Sequence, residues 1–268
     1  MSDRSRPVPF VPAARAMLSL SLDSGLLTRR SLVMAALLAL PVLFALVYRL
    51  VLAARLPAEV TGFDLYSRIV LFYWVRNALP LAALFYGASL VADEVEGKTI
   101  TFLLARPAPR PALLAGKFAA YLVTALAITL PAVLLTFALL ASAQGWDSLR
   151  AHVPDLLRDL GVSALTLVVY GALFTLLGVL LRRPLLPGLL FLFAWELLAN
   201  LPGYLPRLTI TAWLRSLLPY NPPSEGVAEL FGQALPVGLS LVVLSGVFAA
   251  TLGLALWVFS RREYVLDQ

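Results

Sequence analysis

Gly97-Lys98-Thr99 are the residues of this chain whose types and order most suggest chemistry. G-K-[ST] closes the phosphate-cradling loop G-x-x-x-x-G-K-[ST], which sits between a strand and a helix. The rest of that loop is missing. Its first glycine would fall at Ala92, and Asp93, Glu94 and Glu96 fill the part that would wrap a triphosphate. Three carboxylates there repel phosphate, and the preceding residues read as an apolar helix rather than a strand. Leu244-Ser245-Gly246, which echoes a nucleotide-hydrolase signature, runs on into Val247-Phe248 within another apolar stretch. Neither is a nucleotide site, and no cofactor or metal is expected on this chain. With no cysteine and His152 as the one histidine, it has neither a thiolate set nor an imidazole cluster. The remaining chemistry-bearing residues are polar groups inside apolar runs. These are Arg76 with Asn77 beside it, Glu196 with Asn200 one helical turn on, and Arg49 near the end of the first run.

Those positions matter because of what surrounds them. Of the 268 residues, 60% are hydrophobic and 13% charged, with a mean hydropathy of +0.88. A soluble domain of this size cannot bury so much apolar surface, whereas a bilayer can. The expectation is an all-α integral membrane protein. About 20 apolar residues span the hydrocarbon as a helix. Six such spans are expected, at about 31–53, 69–92, 117–143, 159–181, 185–203 and 235–260. Residues 31–268 then form one six-helix domain after an N-terminal segment, 1–30. Pro41, Pro80 and Pro131 lie inside the first three spans, where neighbours can re-satisfy the freed carbonyls, so kinks rather than breaks are expected. About thirty mixed residues precede the first span, which is longer than a signal-peptide core, so no cleaved leader is expected. Thirteen of the 21 Lys and Arg fall on one side of this layout, with Arg29-Arg30, Arg182-Arg183 and Arg261-Arg262 each abutting a span at that face. Basic flanks mark the cytoplasmic side, which predicts both termini inside. The net charge of +6 is therefore read as topology, not as nucleic-acid binding.

Two further segments have helical spacing without spanning length. Residues 10–28 place Phe10, Ala14, Met17, Leu18 and Leu22 on one face, with Arg15, Ser19 and Asp23 in a polar stripe. This pattern suits a helix lying in the inner interface, or else a tail without structure. Residues 204–234 set Ile210, Trp213, Leu214 and Leu217 against Arg207, Thr211 and Arg215 before "PYNPPSEG" turns the chain. Short helices dipping into the outer leaflet fit this pattern, as does a surface helix packed on the spans.

The stretch that opened the question lies in the longest inner loop. Three acids near a helix start are favoured by the peptide dipoles. Ile100, Leu103 and Leu104 follow on one face, and Pro107 disfavours helix at the residue before it. "ARPAPRPALLAGK" reads as a stiff elbow into the third span. Exposed leucines on a short cytoplasmic helix need a cover. A partner's groove is one cover; the chain's own helices or the bilayer are others.

"DEVEGKTITFLLARPAPRPALLAGKFAAYLV" resembles the hallmark region of ABC-2-type transporter permeases. An acidic pair (Glu94, Glu96) is followed by Gly97-Lys98-Thr99, then Leu103-Leu104-Ala105-Arg106-Pro107, Arg110 and Gly116-Lys117. The branch it resembles includes permeases of nitrous-oxide-reductase maturation and of bacteriocin or gliding-motility export. The motif covers about 30 residues, and the layout extends the likeness along the chain. The resemblance implies a type V exporter-like fold. Such a fold has an N-terminal interfacial helix, a cytoplasmic coupling helix between helices 2 and 3, and an outer helical insertion between helices 5 and 6. It also implies an inner-membrane complex of two permease chains, copies or homologues, on two ABC ATPase subunits that bind ATP and Mg. On that resemblance the ATPase-coupling residues are Glu94, Glu96, Gly97, Thr99, Ile100, Leu103, Leu104, Arg106, Pro107, Arg110 and Lys117.

Ionisable groups inside a membrane usually face a protein interior or a wet path. Arg76, Asn77, Glu196 and Asn200 are thus candidates to line the pathway, with a buried pair that fixes packing as the alternative. Gly171 and Gly178, and likewise Gly246 and Gly253, are spaced to let helices approach closely. A stand-alone secondary transporter is a second function class, although no repeat relates residues 31–143 to 159–260. A membrane-embedded enzyme is a third, and it would need facing acids, His or Cys.

Overall fold

A computed structural model describes residues 9–25, 29–54, 60–96, 108–200, 204–220 and 236–262, and among these every regular element is helical. Helix α1 (Phe10–Gly25) precedes α2 (Arg29–Ala53). Helix α3 is one continuous run made of Gly62–Arg68, a π-helical stretch Ile69–Ala78 and Leu79–Glu96. Helix α4 is Arg110–Ala141, α5 is Trp146–Ala151 and α6 is Val153–Leu180. Helix α7 starts as Leu185–Leu190, widens to a π-helix over Phe191–Trp195 and tightens to a 3-10 helix over Glu196–Asn200. A 3-10 turn, Leu205–Leu208, leads into α8 (Ile210–Arg215), and α9 is Val237–Arg261.

Among the described residues, five helices are long and apolar enough to cross a membrane: Leu32–Ala53, Gly62–Ala92, Arg110–Gln144, Val153–Leu180 and Val237–Arg261. The 28 residues of α6 rise about 42 Å, more than the hydrocarbon requires. The second, third and fourth of these begin earlier than expected, at Gly62, Arg110 and Val153, because polar first turns extend them beyond their apolar windows. Thr61 caps the second, accepting from the Asp64 amide at 3.2 Å while donating to its carboxylate at 2.6 Å. The third starts at Arg110, with Pro109 and Pro111 at its first turn, where a missing amide is harmless. Hence Arg110 to Lys117 is already helix, and the expected elbow before the third span is shorter than its sequence suggested.

Helix α2 stays regular through Pro41 and α4 through Pro131. Near Pro80 the helix instead changes register. Proline cannot donate to the carbonyl four residues back, and Leu79, just before it, bonds five back to Trp74. A π-stretch is the known adjustment to such a lost bond.

Helix α6 is the hub, packed along α3, α9 and α4. A Cβ at Gly178 would lie 2.5 Å from the Ala88 carbonyl oxygen of α3, and one at Gly171 would strike the Tyr121 ring of α4. The spacing of these two glycines is thus a packing device, as expected. Among the described residues, nothing lies within 4 Å of a Cβ placed at Gly246 or Gly253 of α9, so no such close approach is seen there. Tyr121 donates to the Leu167 carbonyl of α6 at 2.9 Å. Helix α1 packs on α4 through Met17 against Leu113, while Phe10 and Leu20 stay exposed.

The ends of the helices sort into two faces. At the first, the Arg262 guanidinium donates to the carbonyls of Val179 and Leu180, so α6 and α9 end together. At the opposite face, the Ser216 and Ser240 hydroxyls lie 2.7 Å apart, and Tyr220 donates to Asp159 at 2.7 Å.

Candidate functional site

Two groups of polar side chains stand out, and they lie in different parts of the bundle. The first closes the base of the segment between α3 and α4. Glu94, in the last turn of α3, pairs with Lys117 of α4 at 2.5 Å, and the same ammonium donates to the Leu90 carbonyl at 3.1 Å. Lys117 is 8% exposed. Burial of a lysine is tolerated when it is paired and hydrogen-bonded, and both conditions hold. Glu94, which could anchor either a partner or a neighbouring helix, here meets Lys117 of α4, as a staple across the ends of the connection. Arg110, in the first turn of α4, donates to the Arg262 carbonyl at 3.4 Å and so ties α4 to the end of α9. Gly97, Thr99, Ile100, Leu103, Leu104, Arg106 and Pro107, with the coupling helix expected there, lie outside the described residues, as does the Glu96 side chain.

The second group sits where α3, α7 and α8 meet. Glu196 is 7% exposed, and its two carboxylate oxygens accept the amides of Ile210 at 3.2 Å and Thr211 at 3.1 Å. Thr209 takes the amide of Ala212 at 3.3 Å. The first three amides of α8, which have no partner inside a helix, are thus all satisfied from outside it. A carboxylate at a helix N-terminus is also favoured by the peptide dipoles. Helix α7 lies where the fifth span is expected, at residues 185–203; its described apolar helical run is Leu185–Leu198, with Glu196 engaged at the start of α8.

Thr211 meets the Tyr170 hydroxyl of α6 at 2.9 Å, locking α8 to the hub. From the end of α8 the Arg215 guanidinium lies over the Phe72 ring, 5.9 Å from its centroid. Arg76 is close enough to Arg215 to repel it, and Glu196 is close enough to attract it. Arg76 and Asn77 lie about midway along the apolar helix Gly62–Ala92. Asn77 is exposed and donates its side-chain amide to the Phe72 carbonyl. Arg76 and Glu196 are thus each within electrostatic range of Arg215, while the Asn200 side chain lies outside the described residues.

The family is settled by comparison with known proteins. The model of the ABC-2 family transporter protein matches residues 74–264. The chain belongs to the ABC-2 transporter family. No curated protein matches it. The ABC-2 match begins inside the π-stretch of α3 and takes in both polar groups, leaving α1 and α2 outside. As an ABC-2 permease the chain is a multi-pass membrane subunit of an ABC transporter.

Sequence reasoning missed one conspicuous buried acid. Asp159 is fully buried six residues into α6 and held by Tyr220. Burial, and then the Asp159 charge, hold the Tyr220 hydroxyl well above the usual phenol range, so it stays protonated and donates. Asp159 had been read as the border of a span. An acid followed immediately by an apolar run was the available signal. Arg49, near the end of α2, donates to Ser142 at 3.0 Å. His152 stacks on Phe63 with ring centroids 3.6 Å apart. Among the described residues, no three His, Asp or Glu side chains are grouped to hold a metal.

Proposed function

We propose that this chain is the permease of an ATP-driven exporter, in which two permease chains sit on two ATPase subunits that carry ATP and Mg. The observation that supports the coupling most directly is the Glu94–Lys117 staple. It braces the ends of the segment with the family's hallmark sequence, so a push on that segment moves α3 and α4 together. Ile100, Leu103 and Leu104 form the docking face, while Glu96, Arg106 and Arg110 anchor it. The chain crosses six times, with both termini cytoplasmic. In support, α6 and α9 end at the same face, and the chain between them passes from Leu180 at that face to Tyr220 at the other. The crossing between them is α7, α1 lies in the inner interface, and residues 204–234 are the outer insertion. Arg76 and Asn77 line the substrate path, with Glu196 as the positioning residue that fixes α8 beside them.

The test is affinity purification of the full chain from gently solubilised membranes, as wild type and as Leu103→Asp. Vanadate-sensitive ATP hydrolysis should elute with the wild type and be lost with the variant, at unchanged melting temperature of the chain itself. Hydrolysis retained by Leu103→Asp would remove the docking face, and hydrolysis absent from both would remove the ATP-driven reading.

A further inference from the structure

The end of the bundle that carries Tyr220 holds a buried acid without a paired cation. Asp159 is fully buried, and its Oδ2 accepts from the Tyr220 hydroxyl at 2.7 Å. Its Oδ1 has no hydrogen-bond partner among the described residues, and no lysine, arginine or histidine pairs with the group there. Arg158, next along the chain, is exposed and attracts Asp159 without pairing, while half-buried Asp155, one turn earlier, adds to the negative field.

Two more buried oxygens without partners lie close by. Ser163 follows Asp159 by one helical turn, on the same side of α6, and its hydroxyl bonds to nothing described. Buried hydroxyls elsewhere in these helices turn back on their own backbone. Thr136, Thr166 and Thr175 each donate to the carbonyl four residues earlier. Ser163 does not, so its hydroxyl is left for something off the helix. The third oxygen is the Tyr66 hydroxyl of α3. Ring contacts fix its place. Phe63 packs on both Tyr66 and Tyr220, with centroids 6.1 and 5.9 Å apart, and Tyr220 is the residue bonded to Asp159. The Tyr66 hydroxyl comes near that carboxyl group without a hydrogen bond of normal geometry to it.

A buried charge needs a counter-charge, and buried polar atoms need partners. A proton on Asp159 meets the first need and leaves two hydroxyls unmatched. A water molecule meets the second and leaves the charge. A cation meets both. One carboxylate and two neutral hydroxyls offer a single negative charge, whereas calcium sites gather several carboxylates. We propose that Asp159, Ser163 and Tyr66 hold a monovalent alkali cation, sodium or potassium, between α3 and α6 beside Tyr220. Bound there, it ties the two helices to the end of residues 204–220. Asp159 lies about 16 Å along α6 from Tyr170, the residue that touches α8, so this site is separate from the Glu196 group.

The test is the thermal unfolding of the full chain in an uncharged detergent. Choline chloride is exchanged for sodium or potassium chloride at constant ionic strength and pH. A saturable rise in the midpoint of about 3 °C is expected at about 100 mM of the preferred alkali ion. The rise should vanish in Asp159→Asn, and Ser163→Ala or Tyr66→Phe should need about tenfold more cation for the same shift. Should Asp159→Asn fail to fold, the other two variants carry the test. A wild-type midpoint indifferent to both alkali ions overturns the proposal. So does a rise that survives in all the variants, which would be a general salt effect. A midpoint that rises on acidification in choline alone and ignores alkali ions at every pH would replace the cation by a proton. A larger rise with about 1 mM magnesium or calcium would replace it by a divalent ion.

Discussion

Helices α6 and α9 are nearly indistinguishable by composition and opposite in situation. Their hydropathies are 2.1 and 2.3, and each carries two glycines seven residues apart. Yet 72% of the apolar window of α6 is buried in the bundle, against 11% for α9. In α6 the glycines admit the backbone of α3 and the ring of Tyr121, whereas in α9 no described residue comes within 4 Å of them. Lipid is as apolar as leucine, so hydrophobicity cannot rank helices by depth in a membrane bundle. What separates the two is the fit of small residues against a neighbouring backbone and the polar groups beside them. Buried Thr166 and Thr175 of α6 bond back to their own helix, while Asp159 finds Tyr220. Helix α9 buries little beyond Ser240, Leu244, Ala255 and Phe259.

That contrast can be broken at several points. The largest effect belongs to Gly178→Ala, because the new methyl meets a backbone carbonyl that cannot swing away. A loss of about 3 kcal/mol is expected in detergent unfolding, and an unchanged midpoint would mean that α3 and α6 are not in register. Next, Tyr121→Phe removes the donor to Leu167 in a fully apolar setting. It should cost about 1.5 kcal/mol, with faster amide exchange confined to the middle of α6. Arg262→Gln weakens the clamp that joins the ends of α6 and α9, at a partly exposed site. About 1 kcal/mol is expected, and a circular-dichroism melt that does not move would show the clamp to be idle. The smallest effect should come from Gly253→Ala, below about 0.5 kcal/mol in detergent. If the same substitution lowers stability in liposomes by more than that, a second chain covers α9 in the bilayer.

The sequence made five helices legible, because long apolar runs are unambiguous and basic flanks mark their ends. In α7 it made the helix legible but neither its changes of register nor the tertiary role of Glu196 as a cap on α8. The π-register near Pro80 was readable as a disturbance but not as a widening, since proline also kinks helices, and at Pro41 and Pro131 it leaves them continuous. At the site, Arg76, Asn77 and Glu196 announced themselves as polar groups in apolar runs. Arg215 did not, because a short amphipathic segment outside the spans gives no hint that its last residue turns back over Phe72. Glu94 and Lys117 were both singled out, but their pairing joins residues 23 apart across a connection whose path no local pattern specifies.

The Glu94–Lys117 pair also has a consequence for how the segment between them can be ordered. A chain of that length with free ends loses entropy when its ends are brought together, by an amount that grows only slowly with length. Here α3 and α4 have already brought the ends together, and the ion pair keeps them there. The connection between Glu94 and Lys117 is therefore a loop closed at its base. Removing the pair would let the ends of α3 and α4 separate, so closing that loop would again carry an entropic cost.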